Sequence, residues 1–368
     1  MLKLFQQVKL SSFKTKNISS LFETFHIEQI LTKSKIIKSR GHSIQTMFFC
    51  MLILILENSK SVYSGLLTNF SSNMKSPIND MLNNTNYNWR SLLFGIAKRF
   101  SKLCPSSNSN DKCLIFDDTS KVKTGRKTQF LSWFRDHCNS TYFKGYQNVT
   151  AIWSNGRTAI PVDFELKIGK RRTKQAKNGA YMKGSHTEQR VRFSKKSKIE
   201  IIIDMLKRIN QRKFPYKFVL WDSWYNCSKS FSYVFTKLVP AGKTLISMMK
   251  RGNKKYKYGT RYLTIKELYK VAGRWKIDTQ SGIKYKSIQV ELLDAHGKLK
   301  IKNRNVIGAI KICFFKYPNV KNWKAILTTD RELSELEVLE IYLKRWAIEC
   351  VFKEIKQFVP NICLYCIR

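Results

Sequence analysis

Two short runs, CLIF (113–116) and FVLW (218–221), limit what this chain can fold into more than any other feature of it. Each is an unbroken apolar tetrapeptide that runs straight into aspartate: Asp117 and Asp118 after the first, Asp222 after the second. Apolar runs of this length, bounded by polar residues, read as strands of the buried type. Between them, YQNVTAIWSNGRTAIPVDFEL (146–166) holds two further runs joined at Ser154-Asn155-Gly156-Arg157. Asn-Gly between such runs is the strongest local hairpin signal. Three strands in a meander are expected, the first ending at the Asp117-Asp118 pair.

The segment SKIEIIIDMLKRINQRK (197–213) reads as a helix, with Ile199, Ile202, Leu206 and Ile209 on one face. CSKSFSYVFTKL (227–238) reads as another helix and TLISMMK (244–250) as another strand. Three strands, helix, strand, helix, strand is the order of the ribonuclease H-like fold. The fold class expected is therefore α/β: a ribonuclease H-like core of mixed sheet flanked by helices, with a strand-rich insertion and a helical N-terminal domain.

The chain divides into four segments. Residues 1–105 are expected to form a helical N-terminal DNA-binding region, and 106–250 the first part of the core, opening on the polar loop SSNSND. Residues 251–322 alternate apolar and polar residues around Gly turns, as a small antiparallel insertion does. Residues 323–368 hold a returning strand, KAILTTD, and one long helix, ELSELEVLEIYLKRWAIECVFKEIKQF. Ser334 and Glu337 stand at capping-box spacing before it.

Composition speaks to partners. Lys plus Arg outnumber Asp plus Glu by 68 to 25, a net charge of +43. Such an excess points to a polyanion, and nucleic acid comes first because phosphate contacts supply most non-specific affinity. The basic loop 169–177, with Lys170, Arg171 and Arg172, and the stretch RGNKKYKYGTRY (251–262) read as DNA tracks. A hydrophobic fraction of 43% argues against disorder. Nine scattered cysteines, with only Cys363 and Cys366 closely spaced, read as reduced cytosolic thiols. The N-terminal twenty residues lack the apolar core of a secretory signal and suit a presequence or a basic arm. MFFCMLILIL (47–56) is too short to span a bilayer and is expected to be a buried helix.

The long helix carries an unusual set. At about 100° per residue, Tyr342, Arg345, Glu349 and Lys356 share an arc of roughly 60°. They lie beside an apolar stripe of Ile341, Ile348, Phe352 and Ile355, and Trp346 is expected in the core. Glu349, with Asp222 and either Asp117 or Asp118, makes three acids at element ends in a chain poor in acids. Gathered at one sheet edge, they supply the hard oxygen donors that Mg²⁺ (or Mn²⁺) prefers. Two such ions about 3.5–4 Å apart activate a water or 3′-hydroxyl and stabilise the leaving oxygen of a phosphodiester.

Tyr-x2-Arg-x3-Glu-x6-Lys, here Tyr342, Arg345, Glu349 and Lys356, resembles the YREK signature of DDE transposases of the bacterial insertion-sequence-4 group. FDDTSKVKTG is similar to that family's first-aspartate strand and VLWDSWY to its second. The resemblance covers residues 113–357. Asp117 and Asp222 lie 105 residues apart, and Asp222 and Glu349 127, which leaves room for the family's insertion.

The resemblance implies that Asp117, Asp222 and Glu349 are both catalytic and metal-binding, with two Mg²⁺ or Mn²⁺ ions, in nicking and strand transfer at insertion-sequence ends. Asp117 is preferred because it precedes Thr119 in the family's Asp-x-Ser/Thr pattern; Asp118 remains the alternative. Tyr342, Arg345 and Lys356 are implied to contact phosphates. Trp224 and Tyr225, two rings just past Asp222, are expected from their own position to stack on bases. The implied partners are double-stranded DNA, namely terminal inverted repeats and target, and a second copy of the chain in a synaptic complex. The implied place is the bacterial cytoplasm at the nucleoid, with no membrane role. Family members continue well past the signature lysine, whereas QFVPNICLYCIR ends the chain twelve residues after Lys356. A truncated copy with impaired activity is thus expected. The alternatives are a transposon-derived DNA-binding protein and a metal-dependent nuclease on the same fold.

Overall fold

Alternation along one strand sets the layering. In the computed structural model, which describes residues 12–56, 74–104, 112–124, 130–136, 139–169, 183–294 and 303–358, strand β1 spans Cys113–Val122. Leu114 and Phe116 enter one hydrophobic core, while Cys113 and Ile115 enter another on the opposite face. Successive strand side chains point to opposite faces, so a strand covered on both sides must be apolar at every position. CLIF meets that demand.

Eleven further strands complete one sheet among the described residues: β2 (Ser132–Asp136), β3 (Thr141–Ser154), β4 (Ala159–Lys167), β5 (Phe218–Trp221), β6 (Thr244–Met248), β7 (Lys255–Tyr258), β8 (Arg261–Thr264), β9 (Lys276–Ile277), β10 (Lys284–Leu293), β11 (Val306–Lys316) and β12 (Lys324–Thr328). The spatial order is β2-β3-β1-β5-β6-β12-β11-β10-β7-β8, with β4 also on β3 and β9 on β10. β1, β5 and β6 are parallel; β3 and β12 flank them antiparallel. The hairpin expected at Asn155-Gly156 joins β3 to β4. Asn155 Oδ1 accepts from the backbone N–H of Arg157 and Thr158, and Gly156 takes the left-handed φ of 89° that glycine favours. The strand-rich stretch 251–322 extends this same sheet, because β11 pairs with β12 from Lys311↔Thr328 to Phe315↔Lys324.

Among the described residues, five helices precede the sheet: α1 (Ser12–Phe25), α2 (Ile27–Lys33), α3 (Ile44–Leu56), α4 (Lys75–Asn83) and α5 (Trp89–Leu103). They enclose a core of their own, to which α3 gives Met47, Phe48, Phe49, Cys50, Ile53 and Leu54. The apolar run 47–56 is therefore a buried helix, and no helix among the described residues is long and apolar enough to cross a membrane. Next come α6 (His186–Ser194) and α7 (Lys198–Gln211), whose Ile202, Leu206 and Ile209 press on the β1 face shared with Phe116. After α8 (Ser228–Tyr233) and α9 (Ile265–Val271), the chain ends its described part in α10 (Glu335–Leu343) and α11 (Ala347–Phe358). These two cover the opposite face, against Ile115 and Leu220.

One expectation fails here. Residues 332–358 do not form a single helix: a 3₁₀ turn, Lys344–Trp346, separates α10 from α11. Three residues at about 120° instead of about 100° rotate α11 by roughly 60° relative to a continuous helix. Trp346, expected in the core, is 62% exposed. The Ser334–Glu337 capping box forms as expected, and Ile341, Ile348 and Phe352 are buried.

α5 is tied to the sheet by buried charge. Arg90 Nε lies 2.9 Å from Asp163 Oδ1 and its Nη2 pairs with Glu165, both acids on β4. Arg208 of α7 reaches Asp163 Oδ2 at 2.8 Å. Removing one partner of a buried pair leaves the other charge uncompensated. Asp163→Ala is therefore expected to lower stability by about 3–5 kcal/mol, measured by urea unfolding, whereas Lys229→Ala, at an exposed pair with Glu200, should change it by less than about 1 kcal/mol.

Candidate carboxylate centre

The register of β1 against β5 builds the centre. Phe116 pairs with Trp221 in parallel, so the next residues, Asp117 and Asp222, emerge side by side. Asp222 lies just past the end of β5, whereas β1 does not end at its acids as expected but runs on to Val122, held there by β3. Asp117 shares its face with Cys113 and Ile115, and Asp222 with Phe218 and Leu220. That face is the one α10 and α11 cover. Asp222 also caps the 3₁₀ turn Ser223–Tyr225, accepting from Ser223 N–H at 2.6 Å.

Glu349, in the first turn of α11, joins them through Arg345. Arg345 Nη1 donates to Asp117 Oδ2 at 2.9 Å and Nη2 to Glu349 Oε1 at 2.8 Å. The guanidinium carbon stands 5.9 Å from the ring centroid of Tyr342, which is buried. Burial pushes the Asp117 carboxyl up to about 6; Arg345 pulls it down, and the negative charges of Asp118 and Asp222 push it up again. Burial likewise raises the Tyr342 hydroxyl to about 12. For Arg345, burial opposes the charge, but Tyr342, Asp117 and Glu349 outweigh it and hold the group above its ordinary value.

Asp118 points the other way and is committed there. Tyr225 Oη donates to its Oδ1 at 2.8 Å, and Lys198 Nζ, at the start of α7, to its Oδ2 at 2.9 Å. Neither contact is legible as a contact in the sequence, although the Ser197–Glu200 capping box fixes where α7, and hence Lys198, begins. Tyr225 is 2% exposed and hydrogen-bonded, which removes it from the pair expected to stack on bases. Trp224 is 63% exposed beside Asp222, with Lys250 Nζ 5.9 Å from its ring centroid. Lys356 is exposed on α11 and, with Glu349, Phe352 and Lys353, lines an open depression at the centre's edge. Lys170, Arg171 and Arg172 lie outside the described residues.

Asp117, Asp222 and Glu349 are oxygen donors of the kind a hard cation takes. As arranged, they do not fit one. Among the described residues no three His, Cys, Asp or Glu side chains are placed to hold a metal ion, and the positive charge between Asp117 and Glu349 is the guanidinium of Arg345.

Comparison with known proteins adds a family. Residues 48–276 match the family described as DDE superfamily endonuclease, a span that contains Asp117 and Asp222 and stops short of Glu349. No curated protein matches the sequence. The NurA nuclease of Sulfolobus solfataricus aligns at a TM-score of 0.27 and 10% identity, over 64% of this chain and 72% of that one, too low a likeness to equate the folds.

The raised Asp117 carboxyl has a consequence for stability. Between its ordinary value of 3.8 and about 6, the folded protein holds a proton that the unfolded chain has released. Stability attributable to this group therefore falls as pH rises through that window and stays lost above it. Asp117→Asn should be more stable than the parent above the window, by roughly 1–3 kcal/mol, and closer to it below. Thermal unfolding midpoints of both proteins near pH 4 and near pH 8 measure the difference; a gap that narrows at the higher pH contradicts it.

Proposed function

We propose that this chain, which belongs to the DDE superfamily endonucleases, is a DNA transposase that nicks and joins DNA at insertion-sequence ends. The observation that carries the reading is the pairing of Asp117 and Asp222 by strand register, with Glu349 linked to Asp117 through Arg345. The sheet order β4-β3-β1-β5-β6, with β3 alone antiparallel, supports a ribonuclease H-like core.

In this reading the three carboxylates are the catalytic residues, and Asp117, not Asp118, is the first of them. Mg²⁺ or Mn²⁺, when bound, would supply the activation of the attacking oxygen and the neutralisation of the leaving one. The chain's own cations handle the substrate. The Arg345 fork and Lys356 take phosphates near the scissile bond, and Tyr342 supports Arg345 from below. Trp224, exposed beside Asp222, offers a stacking face to a base. The excess of Lys and Arg holds the rest of the duplex in a salt-sensitive way. Inverted repeats, a target duplex and a second copy of the chain are the partners, at the nucleoid. A nuclease without strand transfer is the second reading, favoured by a family match that is described as endonuclease and ends before the segment that carries Tyr342, Arg345, Glu349 and Lys356.

A supercoiled plasmid bearing the element's ends, incubated with Mg²⁺, tests both. Nicked and strand-transferred products are expected, and Asp222→Ala should lose at least about 100-fold in rate, a scale that outer-shell changes alone reach at metal sites, while retaining DNA binding. Nicks without joined products select the nuclease; undiminished cleavage by Asp222→Ala removes the centre from the reaction.

A further inference from the structure

The β2–β3 ribbon has two faces of different character. On one, Phe134 and Phe143 lie opposite each other and stack, with ring centroids 5.7 Å apart and planes at 24°. A cross-strand ring pair of this kind braces two strands against each other. On the other face, alternation puts Trp133 and Arg135 of β2 beside Tyr142 and Lys144 of β3. Trp133 lies opposite Lys144 and Arg135 opposite Tyr142, so ring and cation alternate both along the strands and across them. Lys144 Nζ stands 5.8 Å from the Trp133 ring centroid. Asp136 falls on the face of Phe134, which leaves no acid on the Trp133 face among the described residues of the ribbon.

Tyr142 is 69% exposed and Trp133 41%. Arg135 is exposed as well, and Lys144 half-buried. A single exposed ring is ordinary on a protein surface. Two rings set between cations on a braced sheet face make a stacking platform of the kind that binds nucleic-acid strands. As diagonal neighbours the rings stand about 7–8 Å apart. That is roughly twice the 3.4 Å between successive nucleotides of a duplex strand. Bases held on both rings must therefore be drawn apart from each other. A duplex does not fit, because its base faces are covered by their neighbours. Alternation along β3 also puts Tyr142 and Lys144 on the side of Thr150, the partner of Asp117, roughly 20–27 Å away by strand rise.

We propose that this face of the ribbon, with Trp133, Arg135, Tyr142 and Lys144, binds an unpaired DNA strand adjoining the position that is cut. The two rings stack on successive bases, and the two cations take the phosphates beside them. The inference rests on the proposed function, in which the chain cuts DNA. Cutting supplies such a strand, because an end freed by a nick can unpair from its complement. The platform adds a preference that the general excess of Lys and Arg lacks, since phosphate contacts hold single strand and duplex alike.

Fluorescence anisotropy of a labelled oligothymidylate and of a labelled duplex, each titrated with the full chain without divalent ions, tests this. Trp133→Ala and Tyr142→Ala are each expected to weaken oligothymidylate binding by about 5- to 150-fold, the scale of one base–ring stack. Duplex affinity should stay as in the parent, which also reports that the variants are folded. Arg135→Gln and Lys144→Gln should each make the slope of log K against log salt shallower by about 0.7 for the single strand. A second measurement keeps a ring in place: oligothymidylate should quench the tryptophan fluorescence of wild type more than that of Trp133→Phe. Equal quenching in those two proteins overturns the platform, as do alanine variants that bind oligothymidylate like the parent. Either result leaves plasmid nicking, and with it the proposed function, untouched.

Discussion

Four residue pairs, Cys113 to Phe116 against Phe218 to Trp221, underlie the arrangement of the centre. Because the two strands run parallel and in step, the residue after each apolar tetrapeptide is delivered to the same edge and the same face. A slip of one position would turn one aspartate to the opposite side of the sheet. The apolar side chains hold the register by filling two cores at once, and the acids have no say in it. The hydrophobic effect thus forces two like charges together, and the charge network around them is a response to that.

The neighbours Asp117 and Asp118 show how sharply a strand separates roles. One turns towards α10 and α11 and meets Arg345; the other turns towards α7 and is held by Lys198 and Tyr225. The second acid ties β1, the turn after β5 and the first turn of α7 at one point. It braces the edge from which the first acid emerges, so the pair works as a bracket with one arm exposed to the centre.

Features legible in the sequence are those with the periodicities that burial imposes. CLIF, FVLW, the Asn155-Gly156 hairpin, the face of α7 and the capping box at Ser334 are all local patterns, and the structure contains each of them. The side-by-side placing of Asp117 and Asp222 is legible because strand alternation and an acid after each run are enough to suggest it. β2 is not: SWFRD is short, half-exposed and sits on the outer edge of β3, where pairing depends on the partner more than on its own residues. Trp346 is exposed where its apolar bulk suggests the core, because at about 100° per residue it stands roughly 150° from the stripe of Ile341, Ile348, Phe352 and Ile355. Tyr225 is buried where a surface ring is expected, because aromatic identity does not say which way a turn faces. The Arg90–Asp163–Glu165–Arg208 cluster joins residues remote in order, and no spacing in the chain announces it.

Helix α5 belongs to two interiors. Leu92 lies in the core of the N-terminal helices, Phe94 and Ala97 in that of the sheet, and Arg90 grips β4 from the same helix. The helix gives one face to each interior, so it ties the N-terminal helices to the sheet. Any torque applied to them is borne by β4, and passes through β3 to the strand that carries Asp117.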